Sequence, residues 1–315
     1  MTRVTLLTPA GALRRGGLEL LDEPGTKWID VADPTEAALA PLASRFALHA
    51  LAVEDCLHLD QRPKLEEYPG HVFIVLQAFA GVPKSWADLE LQELHLFLGP
   101  DWLLSVHERA APLVEAVGRR LEADPAATMG RGVDFVAYLL ADALIDQGFP
   151  LLDAFNDTLE DLEQEIFDVP HKRHLAHSFE LKRALARLRR VLSPQRDVVA
   201  LLARRGIPHV GERTSLYFRD VYDHLVRMYE QIDTARDMLG NAMDGYLSML
   251  ANKTNEVTKQ LTLFATIFLP LSFLTSFFGQ NFEGINGRPF LWGVLSLCVA
   301  LPVGMLTWFR YRHWL

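Results

Sequence analysis

The residues of this chain best placed to act on an ion lie in its last sixty or so positions. Asn255, Thr258, Leu261, Ala265, Leu269, Ser272 and Ser276 recur at steps of three and four, the spacing that gathers side chains on one face of a helix. That face holds small, polar or aliphatic groups and no charge. A single copy is an ordinary packing stripe. Repeated around a symmetry axis, it makes a narrow, mildly polar pore whose apolar rings gate by dewetting. One such helix cannot enclose a pore, so this reading demands an oligomer. Directly after it, Gly279-Gln280-Asn281-Phe282 supplies a short polar cap.

Other clusters compete for attention. His171, His174 and His177 recur every third residue, and imidazole is a common metal ligand. Steps of three spread them over a broad arc, however, and no cysteine or carboxylate completes a compact site, so they read as surface histidines. Asp153, Asp157, Glu160, Asp161, Glu163, Glu165 and Asp168 make one segment densely acidic, and Lys182, Arg183, Arg187, Arg189, Arg190 and Arg196 make the next densely basic. The plainer expectation is two antiparallel helices joined near Pro170 with solvated, complementary faces. The functional one is an acidic face that concentrates cations near a channel mouth. A Gly-rich phosphate loop, a nucleophile elbow and metal-hydrolase spacing are all missing, so an enzyme reading lacks a site.

The elements that must position the stripe are legible. From Glu212 to Leu269 no proline interrupts the chain. A continuous helix to Phe278 would be roughly 100 Å long at about 1.5 Å per residue. Tyr217, Val221, Leu225, Met228, Ile232, Ala235, Leu239, Met243, Tyr246 and Leu250 form its apolar seam, expected to pack on other helices, including those of other subunits. Val257 to Phe278 and Phe290 to Phe309 each have the length to cross a hydrocarbon core of roughly 30 Å. The first span is unusually rich in hydroxyls and carries Pro270; the second is uniformly apolar and reads as lipid-facing. The tail from Arg310 to Leu315 adds positive charge and an aromatic anchor, which places it on the cytoplasmic side. Two spans then put the large N-terminal part in the cytoplasm as well, with the loop outside.

Within the first 130 residues the signals are mixed. Thr26 to Asp33, His71 to Phe79, Leu91 to Leu98 and Trp102 to His107 read as strands. Pro34 to Phe46 and Ala50 to Leu57 read as helices, the first capped by Asp33 with Pro34 at its first position. The sheet order does not follow from the sequence. At 315 residues with half of them hydrophobic and 23% charged, the apolar excess is concentrated at the C-terminus, as expected for a soluble part with few spans. The net charge of −9 argues against nucleic acid as a partner. Cys56 and Cys298 are expected to be reduced packing residues, and the N-terminus shows no signal peptide.

Several runs taken in order resemble the CorA family of magnesium and cobalt transporters. They are Asn252-Lys-Thr-Asn-Glu-Val257, Leu261-Thr262, Ala265-Thr-Ile-Phe-Leu-Pro-Leu271, Phe278-Gly-Gln-Asn-Phe282, Gln61-Arg-Pro-Lys64 and Tyr217-Phe-Arg-Asp-Val-Tyr-Asp-His224. The resemblance implies an α+β cytoplasmic domain, a long-helix stalk and a two-helix transmembrane hairpin, assembled as a funnel-shaped homopentamer in the cytoplasmic (inner) membrane. The segments expected are an α/β domain over 1–130, the acidic and basic helices over 131–211 and the stalk helix over 212–256. Pore-lining helix 257–278, loop 279–289, outer helix 290–309 and basic tail 310–315 complete the chain. The family's outer-mouth signature is Gly-Met-Asn; here Gly279 and Asn281 carry over and Gln280 stands in place of Met. A ring of neutral amides suits Mg²⁺, which dehydrates reluctantly and is held through its waters. The resemblance further implies regulation by intracellular Mg²⁺ between neighbouring domains, with Asp220 at the matching position and Asp88 or Glu90 near the place of its partner. The function implied is uptake of Mg²⁺, with Co²⁺ or Ni²⁺ as alternatives. Zinc transport, as in the ZntB branch of the superfamily, and a non-conducting membrane-anchored scaffold or sensor are the rival readings.

Overall fold

The computed structural model describes residues 2–58, 60–108, 112–279 and 288–312. Two compact units emerge, residues 1–243 and 244–315.

The first unit is built on a seven-stranded sheet. Its strands are β1 (Thr2–Leu7), β2 (Leu13–Gly16), β3 (Thr26–Ala32), β4 (Lys64–Tyr68), β5 (His71–Phe79), β6 (Leu91–Leu98) and β7 (Trp102–His107). They lie in the order β2-β1-β3-β7-β6-β5-β4. Only the β3–β7 pair is parallel, with Ile29 opposite Leu104. The four strands read from sequence are the central ones. β5 is buried at all nine positions, which is what a strand covered on both faces requires and why it reads as one continuous apolar run.

The three strands that sequence reading passed over lie on one side or at the edges. β2 (Leu13-Arg-Arg-Gly) and β4 (Lys64-Leu-Glu-Glu-Tyr) are the two edges, and their charged side chains are what keeps an open edge from pairing with another chain. In β4, Lys64 reaches Asp55 at 2.7 Å and Glu66 at 3.0 Å. This gives the Gln61-Arg-Pro-Lys64 run a local structural task.

Helices α1 (Glu36–Phe46) and α2 (Ala50–Leu57) cover one sheet face. Leu39, Leu42, Ala52 and Cys56 bury there against Ile29, Val31, Phe73 and Phe97. The cap of α1 differs from expectation. Thr35 is the capping residue, its hydroxyl accepting from the Ala38 N–H at 3.3 Å. Asp33 cannot serve, because its own N–H is tied to the His107 carbonyl at 2.9 Å and its φ is +54°. The sheet claims Asp33 first, and Pro34 therefore precedes the helix.

The other face carries α3 (Pro112–Ala123), α4 (Val133–Asp146), α5 (Gly148–Asp168) and α6 (Lys172–Leu202). The acidic α5 and basic α6 do form a hairpin, but their charges scarcely meet. Among the described residues only Glu165 pairs across it, with His174 at 3.1 Å and Arg173 at 3.7 Å. The arginines are engaged elsewhere: Arg187 donates to the Ala87 carbonyl at 2.8 Å, and Arg189 lies 3.4 Å from Asp233. Apolar contact holds the pair instead, through buried Phe155, Leu159, Leu162 and Ile166 facing Leu181, Leu185 and Leu188. His174, expected on the surface, is buried beside Glu165. His171 opens α6, its N–H pointing at His174 Nδ1 at 3.4 Å.

Helix α7 (Glu212–Phe278) is a single element of 67 residues, as the absence of an early proline predicts. Its buried seam in the first unit runs Phe218, Val221, Leu225, Met228, Ile232, Ala235 and Leu239. The seam is covered by the chain's own helices. Phe218 lies edge-on to Tyr138 of α4 at 5.9 Å, with Tyr217 tilted against the same ring at 5.2 Å, and Met228 approaches Gly148 of α5 within 3.2 Å of where a Cβ would stand. Phe218 rather than the half-exposed Tyr217 carries the packing at the start of the seam. The second unit contains the rest of α7 and α8 (Arg288–Tyr311).

Candidate ion pathway and metal cluster

The stripe expected to line a pore lies wholly on α7 in the second unit. Asn255, Thr258, Leu261, Ala265, Leu269, Ser272 and Ser276 are all exposed, with Leu261 at 65% and Leu269 at 70%. The six steps from 255 to 276 average 3.5 residues, the repeat at which a stripe stays on one side of a left-handed supercoil. A separate face of the same helix is half-buried: Leu263, Ile267, Pro270, Leu271, Leu274 and Phe278. The bare stripe and the half-covered face are thus distinct.

The hydroxyls of this helix close on its own backbone. Thr254, Thr258, Thr262 and Thr266 each donate to the carbonyl four residues back, at 2.7–2.9 Å. Such back-bonding satisfies a hydroxyl without a partner helix or water. The helix also exposes Phe264, Phe268, Phe273 and Phe277, and α8 exposes Leu291, Trp292, Leu295 and Val299. The apolar stretches of both are long enough to cross a membrane, and no residue of either stretch is fully buried. Uncovered apolar surface on this scale calls for another phase or other chains. The apolar stretch Val133–Asp168 has similar length but is 67% buried, so it is core. Gly279 follows α7 directly, its N–H bonded to the Thr275 carbonyl at 2.9 Å. Gln280 and Asn281 lie outside the described residues.

A second constellation lies in the first unit. Asp142 and Asp146 stand one turn apart at the end of α4, and His224 faces them from α7; their ligand atoms all fall within 4.8 Å of one another. His224 Nδ1 is 3.1 Å from Asp146 Oδ1, and its Nε2 is 4.0 Å from Asp220 Oδ2. Phe149 closes one side, edge-on to the imidazole at 5.6 Å. Burial first, then the neighbouring Asp146, holds the Asp142 carboxyl above its ordinary pKa. Carboxylates crowded this way are relieved by a cation. Oxygen donors suit Mg²⁺, while the imidazole adds affinity for Co²⁺, Ni²⁺ or Zn²⁺.

Asp220 was identified in the sequence, whereas Asp142, Asp146 and His224 were not. The signal was available as two Asp-x-x-x-Asp/His pairs at one-turn spacing, 142/146 and 220/224, each on a helix. Asp88 is not drawn into this group. It ends a short turn, Trp86–Asp88, that docks on α5 and α6 through Trp86 Nε1 to Thr158 Oγ1 at 3.2 Å and Ser85 Oγ to Glu180 Oε1 at 2.7 Å.

An α/β/α unit whose longest helix continues into bare apolar sequence, followed by a second apolar helix, defines a class of protein with a large polar domain and membrane-length helices. Comparison with known proteins resolves the class further. The family model described as the CorA-like Mg²⁺ transporter protein matches residues 23–311. The cobalt/magnesium transport protein CorA of Thermotoga maritima is 36% identical over 273 residues, covering 86% of this chain and 78% of that protein. The putative metal ion transporter YfjQ of Bacillus subtilis is 32% identical, covering 100% and 98%. In fold, the complete CorA magnesium transporter of Methanocaldococcus jannaschii superposes with a TM-score of 0.87 at 21% identity, covering 100% of this chain and 99% of that one. The chain belongs to the CorA-like Mg²⁺ transporter family.

Proposed function

We propose that this chain mediates uptake of hydrated divalent cations, Mg²⁺ first and Co²⁺ or Ni²⁺ after it, as a homopentameric channel of the cytoplasmic membrane with both termini cytoplasmic. The observation that carries the reading is the uncharged stripe from Asn255 to Ser276, bare along a membrane-length helix in a chain of a transporter family. The transport named for its relatives supplies the cargo: cobalt and magnesium in Thermotoga maritima.

In this reading α7 lines the pore and Asn255 stands at its inner end. Leu261 and Leu269 are apolar rings that empty of water when the pore narrows. Gly279, Gln280 and Asn281 form the outer mouth, where amide oxygens hold the ion by its waters. The cluster of Asp142, Asp146, Asp220 and His224 senses intracellular divalent ions, and the chain's own geometry favours these residues over Asp88.

The test is ion flux into proteoliposomes. Asn281→Ala is expected to lower Mg²⁺ entry severalfold; unchanged entry would sink the selectivity role. Competition between Zn²⁺ and Mg²⁺ in the same assay separates magnesium from zinc transport. The threonine hydroxyls, satisfied within α7, remove one objection to a non-conducting scaffold, since they do not require a wet cavity. Flux itself therefore decides that rival, which predicts none for any ion.

A further inference from the structure

A cavity of about 450 Å³ opens between the first three strands and α3, and its lining shares no residue with the metal cluster. That volume lies in the range of small-molecule sites, roughly 300–1,000 Å³. Its wall brings together Arg3, Arg15, Arg119, Asp30 and Trp28, with Gly118 and the carboxylate of Glu115 on the helix side.

Two of these residues are left with unused capacity. Asp30 is 4% exposed, and its Oδ1 accepts from Ser105 Oγ at 2.8 Å and sits 3.0 Å from His107 Nε2. Its Oδ2 has no hydrogen-bond partner among the described residues. The nearest cation, Arg3, stands 3.6 Å away, beyond hydrogen-bond reach. A buried carboxylate oxygen without a donor is costly and rarely left so. Arg119 has no carboxylate partner among the described residues, while Arg15 is paired with Glu122 at 2.6 Å. A glycine at 118 gives the Arg15 guanidinium room: a Cβ there would stand 2.5 Å from its Nη2.

We propose that this cavity binds a small metabolite with an oxyanion at one end and an N–H or O–H donor at the other. The oxyanion, a phosphate or a carboxylate, is gripped by the guanidinium of Arg119 with Arg15 beside it, since planar guanidinium forks match both groups. The donor reaches Asp30 Oδ2 by displacing the exposed Arg3 side chain that covers it, and Trp28 and Val114 supply the apolar wall. An occupant that spans both ends is larger than bare inorganic phosphate, which should therefore bind more weakly.

The experiment is calorimetric titration of the full chain in detergent at fixed free Mg²⁺ with adenosine monophosphate, glutamate and inorganic phosphate. The expected result is saturable binding of one of the two donor-bearing probes, at least tenfold tighter than inorganic phosphate. Arg119→Gln and Gly118→Leu should each weaken it tenfold or more, the second by filling the space. Both substituted positions lie on α3, outside the strand that carries the buried Asp30, so neither variant removes a core carboxylate. Absence of binding by both donor-bearing probes overturns the proposal. So does binding that is no tighter than phosphate, or that survives both substitutions.

Discussion

His224 on α7 and Asp146 on α4 meet with Nδ1 and Oδ1 3.1 Å apart, a contact that ties the two helices together. It also places Asp142 and Asp220 around the same imidazole. Three carboxylates around one histidine make a site that a divalent cation stabilises more than a proton does. Mg²⁺ or Co²⁺ is therefore expected to raise the thermal midpoint of the chain. At a concentration 100 times its dissociation constant a ligand adds about 2.7 kcal/mol. Asp142→Asn should abolish that increment and raise the midpoint in chelator slightly, by relieving the crowded carboxylates. Differential scanning fluorimetry with and without metal reads both effects. An undiminished metal shift in Asp142→Asn would show that the ion binds elsewhere.

The hairpin of α5 and α6 rests on apolar packing, not on its charges, and Phe155 is central to it. The ring is fully buried and meets Trp86 edge-on at 4.8 Å. Phe155→Ala should cost about 3–5 kcal/mol, the usual range for deleting a buried aromatic. Neutralising Asp157 or Glu160, which pair with nothing among the described residues, should change stability by less than about 0.5 kcal/mol. Urea titration followed by tryptophan fluorescence measures both, with Trp86 reporting on the site itself.

Glu180 ties the Trp86 turn to α6, and this tie is sensitive to acid. The Ser85 hydroxyl, then the Ala87 N–H, hold its carboxyl below the ordinary carboxylate pKa. A carboxyl with a depressed folded pKa binds fewer protons folded than unfolded. Its contribution is therefore full above the unfolded pKa and lost as pH falls through the folded one. Ser85→Ala should remove about 1 kcal/mol at pH 7, discounted for partial exposure, and the deficit should shrink below about pH 4. Denaturation at pH 7 and pH 3.5 tests this. An equal deficit at both would mean that the hydroxyl acts by packing alone.

How far these features could be read in advance depended on what enforces them. The central strands and α7 were legible because burial writes a continuous apolar run or a seam at helical spacing. The edges β2 and β4 were not, because the charges that protect an edge erase the strand pattern. Asp33 failed as a cap for a similar reason: the competing bond to His107 comes from a strand some seventy residues away. The cluster at Asp142, Asp146 and His224 was half visible. Each pair is local, but their meeting depends on how α7 packs on α4, which no spacing encodes.

The pore reading makes its sharpest claim at Leu261 and Leu269, which are apolar, two turns apart and exposed. If they close the pathway by excluding water, the barrier depends on their lack of hydrogen-bonding groups. Leu269→Asn keeps a similar size while supplying an amide, so it should raise Mg²⁺ flux severalfold under conditions where the native channel is shut. Phe273→Asn sits off the stripe on the same helix and should not open the path. If Leu269→Asn leaves closed-state flux unchanged while Asn281→Ala reduces open flux, the outer mouth selects and Leu269 does not gate. Comparing Mg²⁺, Co²⁺ and Zn²⁺ entry in these variants and in Gln280→Met then assigns preference. Gln280→Met exchanges a hard amide oxygen for a soft thioether, so Zn²⁺ entry should rise relative to Mg²⁺ if the side chain at 280 touches the ion.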